Sequence, residues 1–156
     1  MAQALLLTTL LTIAGLIATA IVGFQASTGA EVGNHILYAL ATVVLGLFSQ
    51  SMTMFFFIGT GKEIKDQARG EEDEDAVVRE TKLYKAKVFP AAFYAMIVLM
   101  VTFILGGGVH RGQIPPWIHV LLWIATLVMY ARAYWIEIRA MNRNADLMER
   151  FLKDRH

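Results

Sequence analysis

The sequence predicts an all-α protein, a four-helix transmembrane bundle of up-down-up-down topology with cytoplasmic extensions of its third and fourth helices. The first observation is the composition, because the chain is 56% hydrophobic and only 17% charged, whereas an average soluble domain has about 45–50% apolar and 25% charged residues. The second is that the apolar residues fall in four blocks, each close to the roughly 20 residues that cross a bilayer. The third is that nearly all Lys and Arg residues lie on one of the two sides that these blocks separate. We therefore expect a single integral membrane domain over residues 1–156.

The first transmembrane helix is predicted over about residues 3–25. Its small residues recur every three or four positions and so share one face, which lets helix backbones approach closely in lipid. They are Thr8, Thr12, Gly15, Thr19 and Gly23. We expect this face to pack against a neighbouring helix.

The second helix is predicted over about residues 34–60, a stretch of roughly 27 residues that would be about 40 Å long. It carries a similar face of small residues, with Thr42 and Gly46 among them. Gln50 lies near its middle, and a buried amide needs hydrogen-bond partners in a dry bundle. Gln50 is therefore expected to face another helix.

Residues 61–87 form the one long hydrophilic stretch, predicted to be a cytoplasmic loop. Val77, Thr81, Tyr84 and Val88 recur at helical spacing, which predicts that the third helix begins in water near residue 75. Its transmembrane part is expected over about 88–108. The acidic run at 71–75 is predicted to be a solvated helix start, favoured by the helix dipole, with a metal site or a docking patch as the alternative.

The fourth helix is predicted over about residues 116–138 because Pro116 suits a first helical turn. Trp117 and Trp135 are placed to meet the two membrane interfaces. Glu137 and Arg132 are expected near the inner interface, where they extend toward water or pair with each other. An amphipathic cytoplasmic tail is predicted over 139–156 and is expected to pack against the start of the third helix.

The basic residues predict the orientation in the membrane. Seven Lys or Arg lie in residues 61–87 and six at or after Arg132, whereas Arg111 is the single one on the opposite side. Because cytoplasmic loops carry the excess of Lys and Arg, both termini and the loop at 61–87 are predicted to be cytoplasmic. The expected location is the plasma membrane, the inner membrane of a bacterium, with the lipid bilayer as a partner.

Three of the four histidines, His35, His110 and His119, fall on the predicted outward side, together with Glu31. The fourth, His156, is the last residue printed. A helix N-terminus disfavours a charged imidazole, and the neutral imidazole is the form that binds metals. The sequence therefore predicts a candidate binding site at the outer membrane interface.

Four uses of these histidines remain open. One is a haem b with His35 and His119 as axial ligands, although both histidines are expected to lie shallow in the bilayer. Another is a transition metal ion, copper, iron or zinc, held by His35, His110, His119 and Glu31. The histidines could also serve only as helix-end groups that meet water, or take part in a proton relay or a quinone pocket. The absence of cysteine excludes iron–sulfur ligation and c-type haem attachment.

Two classes of function follow from these observations. One is a redox or metal-binding module of electron transport. The other is a non-catalytic accessory or assembly subunit of a larger membrane complex of respiratory or photosynthetic type, with other membrane subunits or further copies of the chain as partners. No catalytic residue and no nucleic-acid partner are predicted. We expect no ionisable group near the membrane midplane, which argues against proton-coupled transport.

Overall fold

The computed structural model describes residues 1–26 and 28–153, with side chains up to Arg150. Its helices are α1 (Ala2–Gln25), α2 (Gly29–Gln67), α3 (Glu74–His110) and α4 (Pro116–Lys153). The described residues contain no β-strand, so the described part of the fold is all-α as predicted. Each helix contains a segment long and apolar enough to cross a membrane, which makes the chain an integral membrane protein by length and composition.

The helices are longer than the predicted membrane segments, and caps explain one of the differences. Thr28 forms a capping box at the start of α2, because its hydroxyl accepts from the Glu31 amide at 3.3 Å and the Glu31 carboxylate accepts from its amide at 2.8 Å. The helix therefore begins at Gly29 rather than at 34, and His35 lies in its second turn. The predicted tail continues α4 through Lys153, and residues 154–156 lie outside the described part.

Side chains are distributed as expected for a protein surrounded by lipid. Large apolar side chains such as Leu7, Ile17 and Phe55 are exposed on the outside of the helices. The inner faces carry several fully buried polar side chains, including Thr12 and Gln50. Because lipid is as apolar as leucine, small and polar side chains hold such helices together.

The helices pack as two hairpins. In the first, the hydroxyls of Thr19 and Thr42 lie 3.2 Å apart and those of Thr9 and Ser49 lie 2.8 Å apart, so α1 and α2 run in opposite directions. In the second, the Thr102 and Thr126 hydroxyls are 2.7 Å apart near one end of the pair and Arg143 contacts Glu80 toward the other. Both α1 and α2 contact α4, and α2 also contacts α3.

The charged ends of three helices pack together beyond the apolar segments. Ile64 of α2, Ala68 directly after it, Val77 of α3 and Leu147 of α4 form a small hydrophobic core. Two ion pairs of α4 lie at its edge, one from Arg143 to Glu80 of α3 and one from Arg150 to Asp73, the residue before α3. This section is built like the core of a water-soluble helical domain, with apolar residues inside and charges outside.

The prediction that Glu137 extends toward water or pairs with Arg132 is wrong. Its side chain is fully buried, and the Thr9 hydroxyl lies 3.1 Å from its Oε2 atom, whereas Arg132 is exposed. The reason is the phase of α4: Tyr130, Ala133 and Glu137 fall on one face at helical spacing, and that face points into the bundle.

Candidate functional site

A cavity of about 490 Å³ opens between the four helices at the end of the bundle where the two hairpin loops lie. Ligand pockets are commonly about 300–1,000 Å³. Most of its lining is apolar, and its polar side chains are three threonines, three histidines and one tryptophan: Thr19, Thr42, Thr102, His35, His110, His119 and Trp123. The cavity therefore has the size and the mainly apolar lining of a cofactor site.

His35 is held by the backbone of the neighbouring helix. Its Nδ1 atom is 3.0 Å from the carbonyl oxygen of Thr19. When Nδ1 carries the proton and donates it to this carbonyl, Nε2 keeps a free lone pair. Histidines that bind metals usually donate their other ring N–H to a carbonyl or carboxylate in this way. A Cβ at Gly23 would lie only 2.7 Å from the ring, so the absence of a side chain there lets the imidazole lie against α1.

His119 has a closely similar setting in the other hairpin. A Cβ built at Gly106 would be 2.9 Å from its ring, and the backbone of Thr102 lies beside the imidazole. Its Nδ1 atom is buried and has no hydrogen-bond partner of good geometry among the described residues. The side chain is half-buried in the wall of the cavity.

The two imidazoles face the same cavity as a pair. Their ring centres are 6.5 Å apart, and the ring planes are nearly perpendicular, at 89°. Two metal–nitrogen bonds of about 2.0–2.1 Å, extended to the ring centres, would separate two imidazoles on one metal atom by roughly 6 Å. The observed spacing is close to that value, so one metal atom would fit between the rings if a nitrogen of each ring points to it.

The two hairpins carry the same sequence pattern around these histidines. Residues 16–23, LIATAIVG, match 99–106, LMVTFILG, at four of eight positions, and residues 35–42, HILYALAT, match 119–126, HVLLWIAT, also at four of eight. The matched threonines pair within each hairpin, and the matched glycines lie against the matched histidines. This repeat was not predicted from the sequence, although it is visible when the two halves of the chain are aligned.

The other predicted metal ligands are placed differently. His110 lines the cavity from the end of α3 but is exposed, and Glu31 serves the capping box of α2. Among the residues that the structure describes, no three histidine, cysteine or acidic side chains are grouped so as to hold a metal ion. His156 lies outside the described residues.

The cavity reaches deeper than the histidines themselves. Along α2 its lining extends from Val32 to Val43, a length of about 16 Å. At its inner end the Trp123 indole N–H donates to the carbonyl of Leu16 at 3.0 Å, which ties α4 to α1. A large flat ligand therefore has room toward the bundle interior, although the histidines lie near the helix starts.

Comparisons extend neither the fold nor the site: no family model, curated protein or solved structure matches this chain.

Proposed function

We propose that this protein is a small membrane haem protein of electron transport, which binds one haem b between His35 and His119. The observation that carries the proposal is the pair of imidazoles, 6.5 Å apart in the wall of a mainly apolar cavity. The repeat in the two hairpins supports it, because it supplies each histidine with an equivalent glycine and threonine. If the two histidines served only as polar groups at the helix ends, there would be no reason for both to have a matching glycine and threonine beside them.

The number of ligands favours haem over a small metal ion. Structural zinc takes four protein ligands and catalytic zinc three, whereas haem iron needs only axial ligands from the protein. The described residues offer two imidazoles and no third acidic or histidine ligand beside them. A single copper, iron or zinc ion therefore fits these residues less well than haem does.

The chain would hold and insulate such a group. The Thr19 carbonyl holds the ring of His35, and the mainly apolar lining of the cavity would surround the bound group. Haem supplies a reversible one-electron change. If His35 and His119 both held the iron, the group would be suited to electron transfer rather than to oxygen chemistry.

The orientation is part of the proposal. Thirteen Lys and Arg residues lie in 61–87 and from Arg132 onward, against Arg111 alone in the α3–α4 loop. The positive-inside rule then gives an up-down-up-down bundle with both termini in the cytoplasm and the histidine cavity toward the outer surface. We place it in a bacterial inner membrane, with the charged ends of α2, α3 and α4 in the cytoplasm.

The alternative, a non-catalytic accessory subunit of a larger complex, stays a prediction. Exposed apolar side chains occur on all four helices, as lipid contact alone requires, so no one face stands out as a docking surface. Assembly with other subunits or with further copies of the chain is compatible with either function.

The test is the haem content of protein purified in detergent from cells that make haem. We expect a Soret band, and about one haem b per chain by the pyridine haemochrome assay. His35→Ala and His119→Ala should each lose the haem. His110→Ala is the matched control, because His110 lines the same cavity but is exposed, and it should keep the haem.

Three results would count against the proposal. Unchanged haem content in both alanine variants would show that the ligands are assigned wrongly. A stoichiometric metal without a Soret band would favour a simple metal site. A purified protein with neither haem nor metal would leave the accessory subunit as the better hypothesis, or a quinone pocket if a quinone is extracted with it.

A further inference from the structure

A second group of buried polar side chains lies in the bundle, beyond the inner end of the histidine cavity. Along α4, Glu137 is 18 residues after His119, which is about 27 Å. The side chains around it come from α1, α2 and α4, and all are fully buried. We call them the Glu137 cluster: Thr9, Ser49, Gln50, Thr53, Tyr130 and Glu137.

The carboxyl group of Glu137 has few donors for a buried charge. The Thr9 hydroxyl lies 3.1 Å from its Oε2 atom, but the same hydroxyl is 2.8 Å from the Ser49 hydroxyl and 3.2 Å from the Leu5 carbonyl. The Ser49 hydroxyl can itself donate to Thr9, but a hydroxyl has one proton to donate, so Thr9 cannot serve both the Leu5 carbonyl and the Glu137 carboxylate. The Gln50 amide lies beside the carboxyl group and donates to Thr9 at 3.4 Å.

Several oxygen atoms of the cluster have no hydrogen-bond partner. Among the described residues six buried side-chain atoms lack one, and four of these belong to this cluster: Gln50 Oε1, Thr53 Oγ1, Tyr130 Oη and Glu137 Oε1. Tyr130 is close enough to Glu137 to interact with its charge. Unpaired buried polar atoms are costly and rare, so these four oxygens are the buried atoms at which a bound ligand would supply missing partners.

No basic side chain neutralises Glu137 in the described structure. α1 carries no charged side chain, and Arg132 and Arg139 of α4 are exposed, with Arg139 over the ring of Trp135. The ion pairs of the described residues all lie in the charged ends of the helices. A carboxylate inside a membrane bundle is expensive unless it is paired or neutralised.

We propose that the Glu137 cluster is a binding site for a monovalent cation, a proton or Na⁺, inside the bundle. A proton on the carboxyl group would remove its charge and give it an O–H to donate to a neighbouring oxygen. Na⁺ would be bound by the carboxylate and the unpartnered oxygens, the ligands that hard cations prefer. The proposal does not depend on haem, since the cluster and the cavity share no side chain.

Infrared spectroscopy of the purified protein in Na⁺-free buffer at pH 7 tests this site. A protonated carboxylic acid has a C=O absorption that an ionised carboxylate lacks, and the other described acidic side chains are not buried. We expect this band in the wild type and in the exposed control Glu72→Gln, and its loss in Glu137→Gln. Thr9→Val, which removes one hydrogen bond without removing the acid, should keep the band at a shifted frequency.

Addition of NaCl distinguishes the two cations. A band that disappears as Na⁺ is added, at constant pH, shows that Na⁺ and the proton compete for the site. A band that does not respond shows that the proton is the cation. The proposal is overturned if the wild type has no such band in Na⁺-free buffer, or if the band survives in Glu137→Gln.

Discussion

A glycine faces each of the two histidine rings, and this contact sets how closely each ring approaches the neighbouring helix. Gly23 lies against His35 and Gly106 against His119, and a Cβ at either position would come within 3.0 Å of an imidazole carbon. Real Cβ atoms essentially never come so close, so the ring, the helix or both must move. The positions of the imidazoles therefore depend on two glycines of the neighbouring helices.

Gly106 and Gly59 offer a matched test of that dependence. Gly106→Ala should displace the His119 ring and weaken haem retention by about tenfold, the lower end of the effect usual for residues that orient a ligand. Gly59→Ala should leave retention unchanged, because Gly59 lies outside the cavity and a Cβ there meets nothing within 4 Å. Haem content after dialysis against apomyoglobin gives the measurement. Equal loss in both variants would mean that helix flexibility, not the ring contact, controls binding.

The residue types of the site could be read from the sequence, but their surroundings could not. His35 and His119 stand out because few polar residues lie on the predicted outward side. Glu31 was grouped with them because it lies on the same predicted side, and the structure shows its carboxylate in the capping box of α2. The burial of Glu137 was not predicted, because its distance from the helix start gives only its depth, whereas the rotation of α4 decides whether its side chain faces lipid or the interior.

The helices as elements were predicted well, as were the starts of α3 near residue 75 and of α4 at residue 116, whereas both ends of α2 lie beyond the predicted 34–60. Hydropathy identifies a membrane segment by the apolar residues it contains, so it stops where charges begin. The helices continue because backbone hydrogen bonds and caps do not depend on hydropathy, and because the charged ends still carry apolar faces. Ile64, Val77 and Leu147 lie on such faces and meet in one small core.

This core should stabilise the protein in the way that the hydrophobic core of a water-soluble domain does. Ile64 is fully buried in it, so Ile64→Ala should lower the free energy of unfolding by about 2–5 kcal/mol. Leu83→Ala is the control, because Leu83 is 53% exposed and its loss should change stability by no more than about 0.5 kcal/mol. Thermal unfolding in detergent, followed by circular dichroism, compares the two. A similar small effect in both would mean that the charged ends do not hold the helices together.

At the scale of the whole molecule, the two hairpins share a sequence pattern as well as a fold. The repeated pattern places one histidine in each hairpin at the same level, near the start of its second helix, and a pair forms where the hairpins meet. The Glu137 cluster has no such duplicate, because the position of α2 that matches Glu137 in the same register is Thr53. Both hairpins therefore contribute equivalent residues to the cavity, whereas Glu137 has an acidic counterpart in neither helix of the first hairpin.

The orientation of the bundle in the membrane decides from which side electrons would enter the cavity. The chain has no cysteine, so a single one can be introduced without a background. Gln113→Cys lies in the exposed α3–α4 loop, and Glu72→Cys is exposed between α2 and α3. If the basic residues set the orientation, a membrane-impermeant maleimide should label Gln113→Cys in intact cells and Glu72→Cys only after permeabilisation. Labelling of Glu72→Cys alone in intact cells would invert the bundle and place the histidine cavity at the cytoplasmic surface.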